Sequence, residues 1–103
     1  MRFSAAEGAK VLLYVPIQAE SLLSFRWYKG EYIDESLAIA HYEKNTNLLT
    51  FGDKITGREE IYKDGSMMIW DVSQEDAGIY TLTTIGTPDE YETTYVHLKV
   101  YSK

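Results

Sequence analysis

At 103 residues the chain has room for one domain and no second core. Sixteen acidic and ten basic residues are interspersed to a net charge of −6, which excludes nucleic acid as a partner because a phosphate backbone needs clustered Lys and Arg. Cysteine is absent, removing a disulfide framework and thiolate metal ligation together. The longest apolar run, Val11 to Ile17, is interrupted by Pro16 and falls short of the roughly 20 residues of a spanning helix, so direct membrane insertion is not expected. Met1-Arg2 ahead of Phe3 reads as a start placed on an excised domain, without a leader.

In chain order, short runs bounded by turn residues predict an all-β sandwich. Behind Gly8, Lys10 to Val15 sets Val11, Leu13 and Val15 against Lys10, Leu12 and Tyr14. Leu23 to Lys29 then places Leu23, Phe25 and Trp27 on one face and Ser24, Arg26 and Tyr28 on the other, with Gly30 closing the run. Ala38 to Glu43, the polar turn Lys44 to Asn47 and Leu48 to Phe51 form the next pair. Glu59 to Lys63 and Ser66 to Val72 flank Asp64-Gly65, a favoured hairpin turn. Gly78 to Ile85 is followed by the turn Gly86-Thr87-Pro88-Asp89, and Glu92 to Tyr101 ends the domain with Val96, Leu98 and Val100 inward.

The most specific motif is Asp76-Ala77-Gly78-Ile79-Tyr80-Thr81-Leu82, which matches the Asp-x-Gly-x-Tyr-x-Cys pattern of strand F in immunoglobulin domains. Leu82 stands in the cysteine position. Counting from Gly8 puts Val15 at the partner cysteine on strand B, and Trp27 on strand C follows as the core tryptophan. The added pair 38–43 and 48–51, strands C′ and C″, marks the variable type. Residues 1–103 are therefore expected to form a single immunoglobulin V-set sandwich without the inter-sheet disulfide. Loss of such a bridge costs about 2–5 kcal/mol, and Val15 and Leu82 packed on Trp27 offset about 2 kcal/mol each if fully buried. Tyr80 is expected to bond back to the backbone at the E to F corner. Arg58 and Asp76 occupy the positions of an ion pair that closes the bottom of the sandwich; the alternative is two unrelated surface charges.

Strand parity also selects a face. With Trp27, Tyr80 and Leu82 inward, Arg26, Tyr28, Thr81, Thr83 and Ile85 point outward. Tyr42 on C′ is expected to join them, and Tyr28, Tyr42, Ile85 and Tyr91 have the composition of a protein-binding hot spot. Arg26 and Lys29 fall near Glu31, Glu43 and Glu92, a layout open to cross-paired charges between two copies. Nothing in the sequence argues for an enzyme. His41 and His97 are far apart without a Cys partner, Ser66 and Ser73 lack a histidine, and Asp89-Glu90 and Glu75-Asp76 border turns as solvated edges. No metal or cofactor is expected.

Phe25-Arg26-Trp27-Tyr28-Lys29-Gly30-Glu31, Gly57-Arg58-Glu59-x-Ile61-Tyr62 with Ser66, and Glu75-Asp76-Ala77-Gly78-x-Tyr80-Thr81-Leu82 together resemble the amino-terminal domain of the carcinoembryonic-antigen-related cell adhesion molecules and pregnancy-specific glycoproteins. The resemblance implies an extracellular recognition module, a fragment of a longer cell-surface or secreted chain. Its partner would be itself or a related immunoglobulin-family receptor, met through the sheet of strands G, F, C and C′, a face also used by bacterial adhesins in relatives. Carried over position by position, the contact residues would be Leu23, Arg26, Tyr28, Ile33, Ala38, Tyr42, Thr83, Ile85 and Tyr91. Ala38, Thr83 and Arg26 depart from the residues relatives carry there. No Asn-x-Ser/Thr sequon is present, unlike the usual family pattern. A first domain of the CD2 or signalling-lymphocyte receptors, or a structural spacer without a ligand, are the alternatives.

Overall fold

The structure, a computed structural model, describes residues 1–87 and 90–103. Nine strands build two sheets: β1 Arg2–Ala6, β2 Val11–Leu13, β3 Leu22–Lys29, β4 Ala38–Glu43, β5 Leu48–Phe51, β6 Glu59–Ile61, β7 Met67–Ile69, β8 Gly78–Gly86 and β9 Glu90–Tyr101. One sheet runs β1-β9-β8-β3-β4-β5 and the other β2-β7-β6. Strands B, C, C′, C″, D, E, F and G of the sequence reading are β2 to β9 in order. The turn expected at residues 86–89 is described only at Gly86 and Thr87; Pro88 and Asp89 lie outside the described residues.

β1 was not foreseen from the sequence. Its Ala5-Ala6 end lacks β-branched or aromatic side chains, and its pairing is purely tertiary, parallel to β9 with Phe3 opposite Leu98 and Ala5 opposite Val100. β2 is shorter than expected because alternation beyond Leu13 finds no ladder partner: Val15 and Ile17 leave the strand yet still pack against the core.

Between the sheets lie Leu13, Phe25, Trp27, Ile39, Met67, Ile69, Val72, Leu82 and Val96, all essentially without solvent contact. Trp27 is placed at the centre by parity and held in orientation by its indole N–H, which donates to Gly65 O at 2.9 Å. Gly65 can present that carbonyl because it takes φ +96° in the turn after Asp64, a conformation costly for any side chain. The Asp64 carboxylate completes the turn by accepting from Ser66 N and Oγ at 3.0 and 2.6 Å. Gly52, after β5, allows a close backbone approach, since a Cβ there would collide with the Ala38 carbonyl.

Leu82 fills its cysteine position completely, at 1% exposure, whereas Val15 is only half-buried at the margin of the core. The two replacements therefore do not contribute equally. Leu13, two residues before Val15, is the deeper of the strand B side chains at 0% exposure.

The lower end is closed as expected. Arg58 donates to both carboxylate oxygens of Asp76 at 2.9 and 2.8 Å and to the carbonyls of Trp70 and Asp71. Asp76 also accepts from Ser73 N at 2.8 Å, capping the short 3-10 turn Gln74–Asp76. Burial alone would raise the Asp76 carboxyl, but the hydrogen bonds from Arg58 and Ser73 and the charges of Arg58 and Lys29 outweigh it and hold the group below the usual carboxylate range. Tyr80 forms the corner, its hydroxyl donating to Asp76 O at 2.7 Å. Lys29 lies on the same side: its Nζ reaches Asp76 O, Ala77 O and Tyr80 Oη and sits 4.3 Å from the Tyr80 ring centroid. Replacing Tyr80 with Phe removes two hydrogen bonds, the one donated to Asp76 O and the one accepted from Lys29, and is expected to lower stability by about 1–2 kcal/mol. The loss stays small because Lys29 still satisfies the Asp76 carbonyl, and a urea titration with an unchanged m-value would show it.

Candidate protein-binding face

The outer surface of the larger sheet is set by register. Ser24 pairs with Ile85 and Glu43, Arg26 with Thr83 and His41, and Tyr28 with Thr81 and Ala38. Ile85 in turn opposes Tyr91, Thr83 opposes Thr93, and Thr81 opposes Tyr95. A depression on this surface is lined by Arg26, Tyr28, Ile33, Thr83, Ile85 and Tyr91, six of the nine expected contact residues, together with Ser24, Phe25, His41 and Glu43.

Its accessible rim is Ile33, Ile85 and Tyr91, at 52, 40 and 59% exposure, with Arg26 beside them. Tyr28 and Thr83 lie on the same face but are buried, at 3 and 5% exposure. The expectation of an exposed Tyr28 is therefore corrected. The reason is non-local: the segment after Gly30 returns over the sheet, placing Ile33 in the depression and Glu35 at 2.9 Å from Arg26. Asp34 shapes this return by accepting from Ser36 N and Oγ at the start of the 3-10 turn Glu35–Leu37. The Asp-x-Ser spacing is a known local turn signal, and it was the available clue to this cover. Thr81, also outward by parity, is sealed with its hydroxyl donating to Gly30 O at 2.7 Å.

Four further expectations are corrected. Tyr42 is not on this face; it pairs with Phe25 and shares its inner side, with ring centroids 5.5 Å apart and its hydroxyl donating to Asn47 Oδ1. Lys29 is turned toward Asp76 and Tyr80, away from Arg26. Glu92 opposes Thr84, which pairs with Phe25, so it belongs to the inner side of the sheet rather than to the charge layout around Arg26. Leu23 is half-buried and outside the core cluster, because a bulge between Leu22 and Ser24 gives the inward position to Leu22. Ala38 is half-buried at the start of β4, opposite Tyr28.

Charge on this surface is unevenly distributed. Glu31, Asp34 and Glu35 are exposed at the β3–β4 side. On the β9–β1 side, His97 and Lys99 are exposed with Arg2 next to them, since Arg2 pairs with His97. Gly30 donates to Ile79, which opposes His97, so the acidic segment and the basic strip lie level with each other across the sheet. His41, missed as a face residue, has its pKa lowered by burial and then by the Arg26 charge, against Glu43 and Glu35. It is therefore neutral at physiological pH.

The outer side of the smaller sheet also exposes apolar groups: Leu12, Tyr14 and Trp70, the last with Lys10 Nζ 4.9 Å from its ring centroid. Among the described residues no group of three or more His, Cys, Asp or Glu is placed to hold a metal.

The family model of the immunoglobulin V-set domain matches residues 1–101. The chain is 59% identical over 101 residues to the mouse (Mus musculus) cell adhesion molecule CEACAM15, covering 98% of this chain and 43% of that protein. It is 41% identical to mouse pregnancy-specific glycoprotein 22 over 96 residues, covering 93% of this chain and 20% of the relative. The chain thus spans less than half the length of these relatives. Among solved structures, murine CEACAM1b superposes with a TM-score of 0.88 at 32% identity, covering 96% of this chain and 50% of that one. The first immunoglobulin-like domain of human CD48 antigen gives 0.83 at 17% identity over 98% of this chain and 81% of that one, a likeness of fold alone.

Proposed function

The chain belongs to the immunoglobulin V-set family and closely matches the amino-terminal domains of the carcinoembryonic-antigen-related adhesion molecules and pregnancy-specific glycoproteins, and from that premise we propose that residues 1–103 form one extracellular adhesion domain that binds immunoglobulin-family receptors through the outer face of β9, β8, β3 and β4. The observation that carries the reading is the depression in which Ile33, Ile85 and Tyr91 stand accessible around Arg26. Aromatic and aliphatic groups presented by rigid strands lose little entropy on binding. The domain is a binding module rather than an enzyme.

Leu23, Arg26, Ile33, Ala38, Ile85 and Tyr91 are proposed as contact residues, with Tyr28 and Thr83 as the buried floor that positions them. A second copy is one fitting partner. A two-fold axis running along β8 would set the acidic segment 31–35 of each copy against His97 and Lys99 of the other, because the two groups lie level on either side of that strand. This offsets the repulsion between two chains of net charge −6. Bacterial adhesins are proposed as further ligands of the same accessible rim.

Ile85→Ala and Tyr91→Ala are expected to weaken receptor binding or self-association about 10–30-fold each, a cost of about 1.4–2 kcal/mol that reaches the threshold of a hot-spot truncation. Leu12→Ala and Trp70→Ala on the other sheet should change it less than about twofold, within the near-neutral background of most interface-scan positions. Sedimentation and surface-binding titrations distinguish these; equal small effects on both sheets would overturn the reading. Lys99→Glu is expected to weaken self-association at low salt, with Glu31→Lys restoring it and high salt erasing the difference.

A further inference from the structure

The structure assigns Tyr32 and Tyr91 as acceptors for tyrosine O-sulfation, an inference that rests on the extracellular reading above. Two independent properties single out the same pair. Tyr32 and Tyr91 are the most exposed tyrosines of the chain at 68 and 59%, ahead of Tyr14, Tyr101, Tyr95 and Tyr62 at 51, 50, 48 and 37%. They are also the two tyrosines directly preceded by glutamate, in Glu31-Tyr32 and Glu90-Tyr91.

The acidic context extends further at both. Asp34 and Glu35 follow Tyr32, Glu92 follows Tyr91, and Asp89 precedes it in sequence. Nearby countercharge is engaged: Arg26, which shares the depression with Tyr91, is held by Glu35 at 2.9 Å. The Lys29 amine is turned away to the carbonyls of Asp76 and Ala77, and no Lys or Arg occurs between Gly86 and Val96. A sulfotransferase of the secretory route binds a polyanionic donor and reads an acidic acceptor segment through a basic cleft, so acidic flanks steer the phenol toward it. Availability of the phenol separates these sites from Tyr62, which also has acidic neighbours. The Tyr62 hydroxyl donates to Glu60 at 2.7 Å, and those of Tyr42 and Tyr80 donate to Asn47 and Asp76. Among the described residues the hydroxyls of Tyr32 and Tyr91 make no hydrogen bond.

In the transfer, the phenol oxygen attacks the sulfur of a nucleotide phosphosulfate donor as an enzyme base takes the phenolic proton. The bond between sulfur and the bridging phosphate oxygen breaks, releasing the nucleoside bisphosphate and leaving an aryl sulfate monoanion. Each ester adds one permanent negative charge to the rim that already carries Glu31, Asp34 and Glu35, and makes that side a better ligand for Lys and Arg on a partner.

The test is to secrete the whole chain from mammalian cells and map its peptides by negative-ion mass spectrometry after phosphatase treatment. A phosphatase-resistant sulfuryl group on Tyr32, Tyr91 or both, lost in Tyr32→Phe or Tyr91→Phe respectively and absent from every other tyrosine, is the expected result. Unmodified peptides covering both sites, or sulfate on another tyrosine, would overturn it. Incubating the purified chain with a tyrosine sulfotransferase and the phosphosulfate donor separates the two ways of failing. No transfer in either setting refutes the acceptor chemistry itself, whereas transfer only in the purified reaction refutes the assignment through its extracellular premise. Because the readout is a mass, a failure of the adhesion reading at Ile85 leaves it intact.

Discussion

Arg58→Met is expected to destabilise the domain by about 3 kcal/mol, because it leaves the Asp76 carboxylate buried without its bidentate partner. The Asp76 side chain is 8% exposed, against 30% for Arg58, so water replaces little of what is lost. At roughly 4–8 °C per kcal/mol for a domain of this size, the melting temperature falls by roughly 12–24 °C. The pair also has a pH signature. A carboxyl held below its ordinary range in the folded state contributes stability that is complete above the unfolded pKa and is lost as pH falls through the folded one. The native protein therefore loses this contribution below about pH 4. In Arg58→Met, burial is unopposed by the guanidinium, and the acid limb of the stability curve flattens. Thermal melts of both proteins from pH 7 to pH 2.5 measure it; parallel curves would show that the contact contributes nothing.

Trp27→Ala is expected to cost about 4 kcal/mol from the cavity alone, as large-to-small changes at fully buried aromatics do. The buried Gly65 carbonyl then loses its donor as well, adding about 1–2 kcal/mol. Together this approaches the whole stability of a small domain, about 5–15 kcal/mol, so the variant should be unfolded or close to it at 37 °C. Trp27→Phe keeps most of the ring volume and loses the hydrogen bond, and should fold with a reduced midpoint. Circular dichroism in urea separates the two outcomes. Receptor binding should follow the fold, since Arg26 and Tyr28 are aimed outward only because Trp27 between them is aimed inward.

Parity was the most legible part of the sequence. In β8, Tyr80 and Leu82 are inward and Thr81, Thr83 and Ile85 share the other face, because a strand without a bulge there has no freedom to do otherwise. Parity failed at irregularities. The shift between Trp27 and Tyr28 sets Ala38, not Ile39, opposite Tyr28, and Tyr42 falls inward beside Phe25. Burial on the outer face was illegible for another reason: alternation reports which side a residue takes, and says nothing of a distant segment folding across it. Tyr28 was predicted as accessible on its strand pattern and is buried on a face that the segment of Ile33 and Glu35 returns across, Ile33 entering the depression and Glu35 pairing with Arg26. Motif spacing found the Arg58–Asp76 clasp and the Tyr80 corner because both depend on fixed offsets within one turn and two strands.

With Leu82 and Val15 where sulfur would otherwise join the layers, nothing in this sandwich responds to the thiol poise of its surroundings. Its denaturation midpoint should be identical in dithiothreitol and in oxidised glutathione, and its refolding should need no isomerase for thiol exchange. Expression in the reducing cytoplasm of a bacterium should yield the same fold as secretion into an oxidising medium.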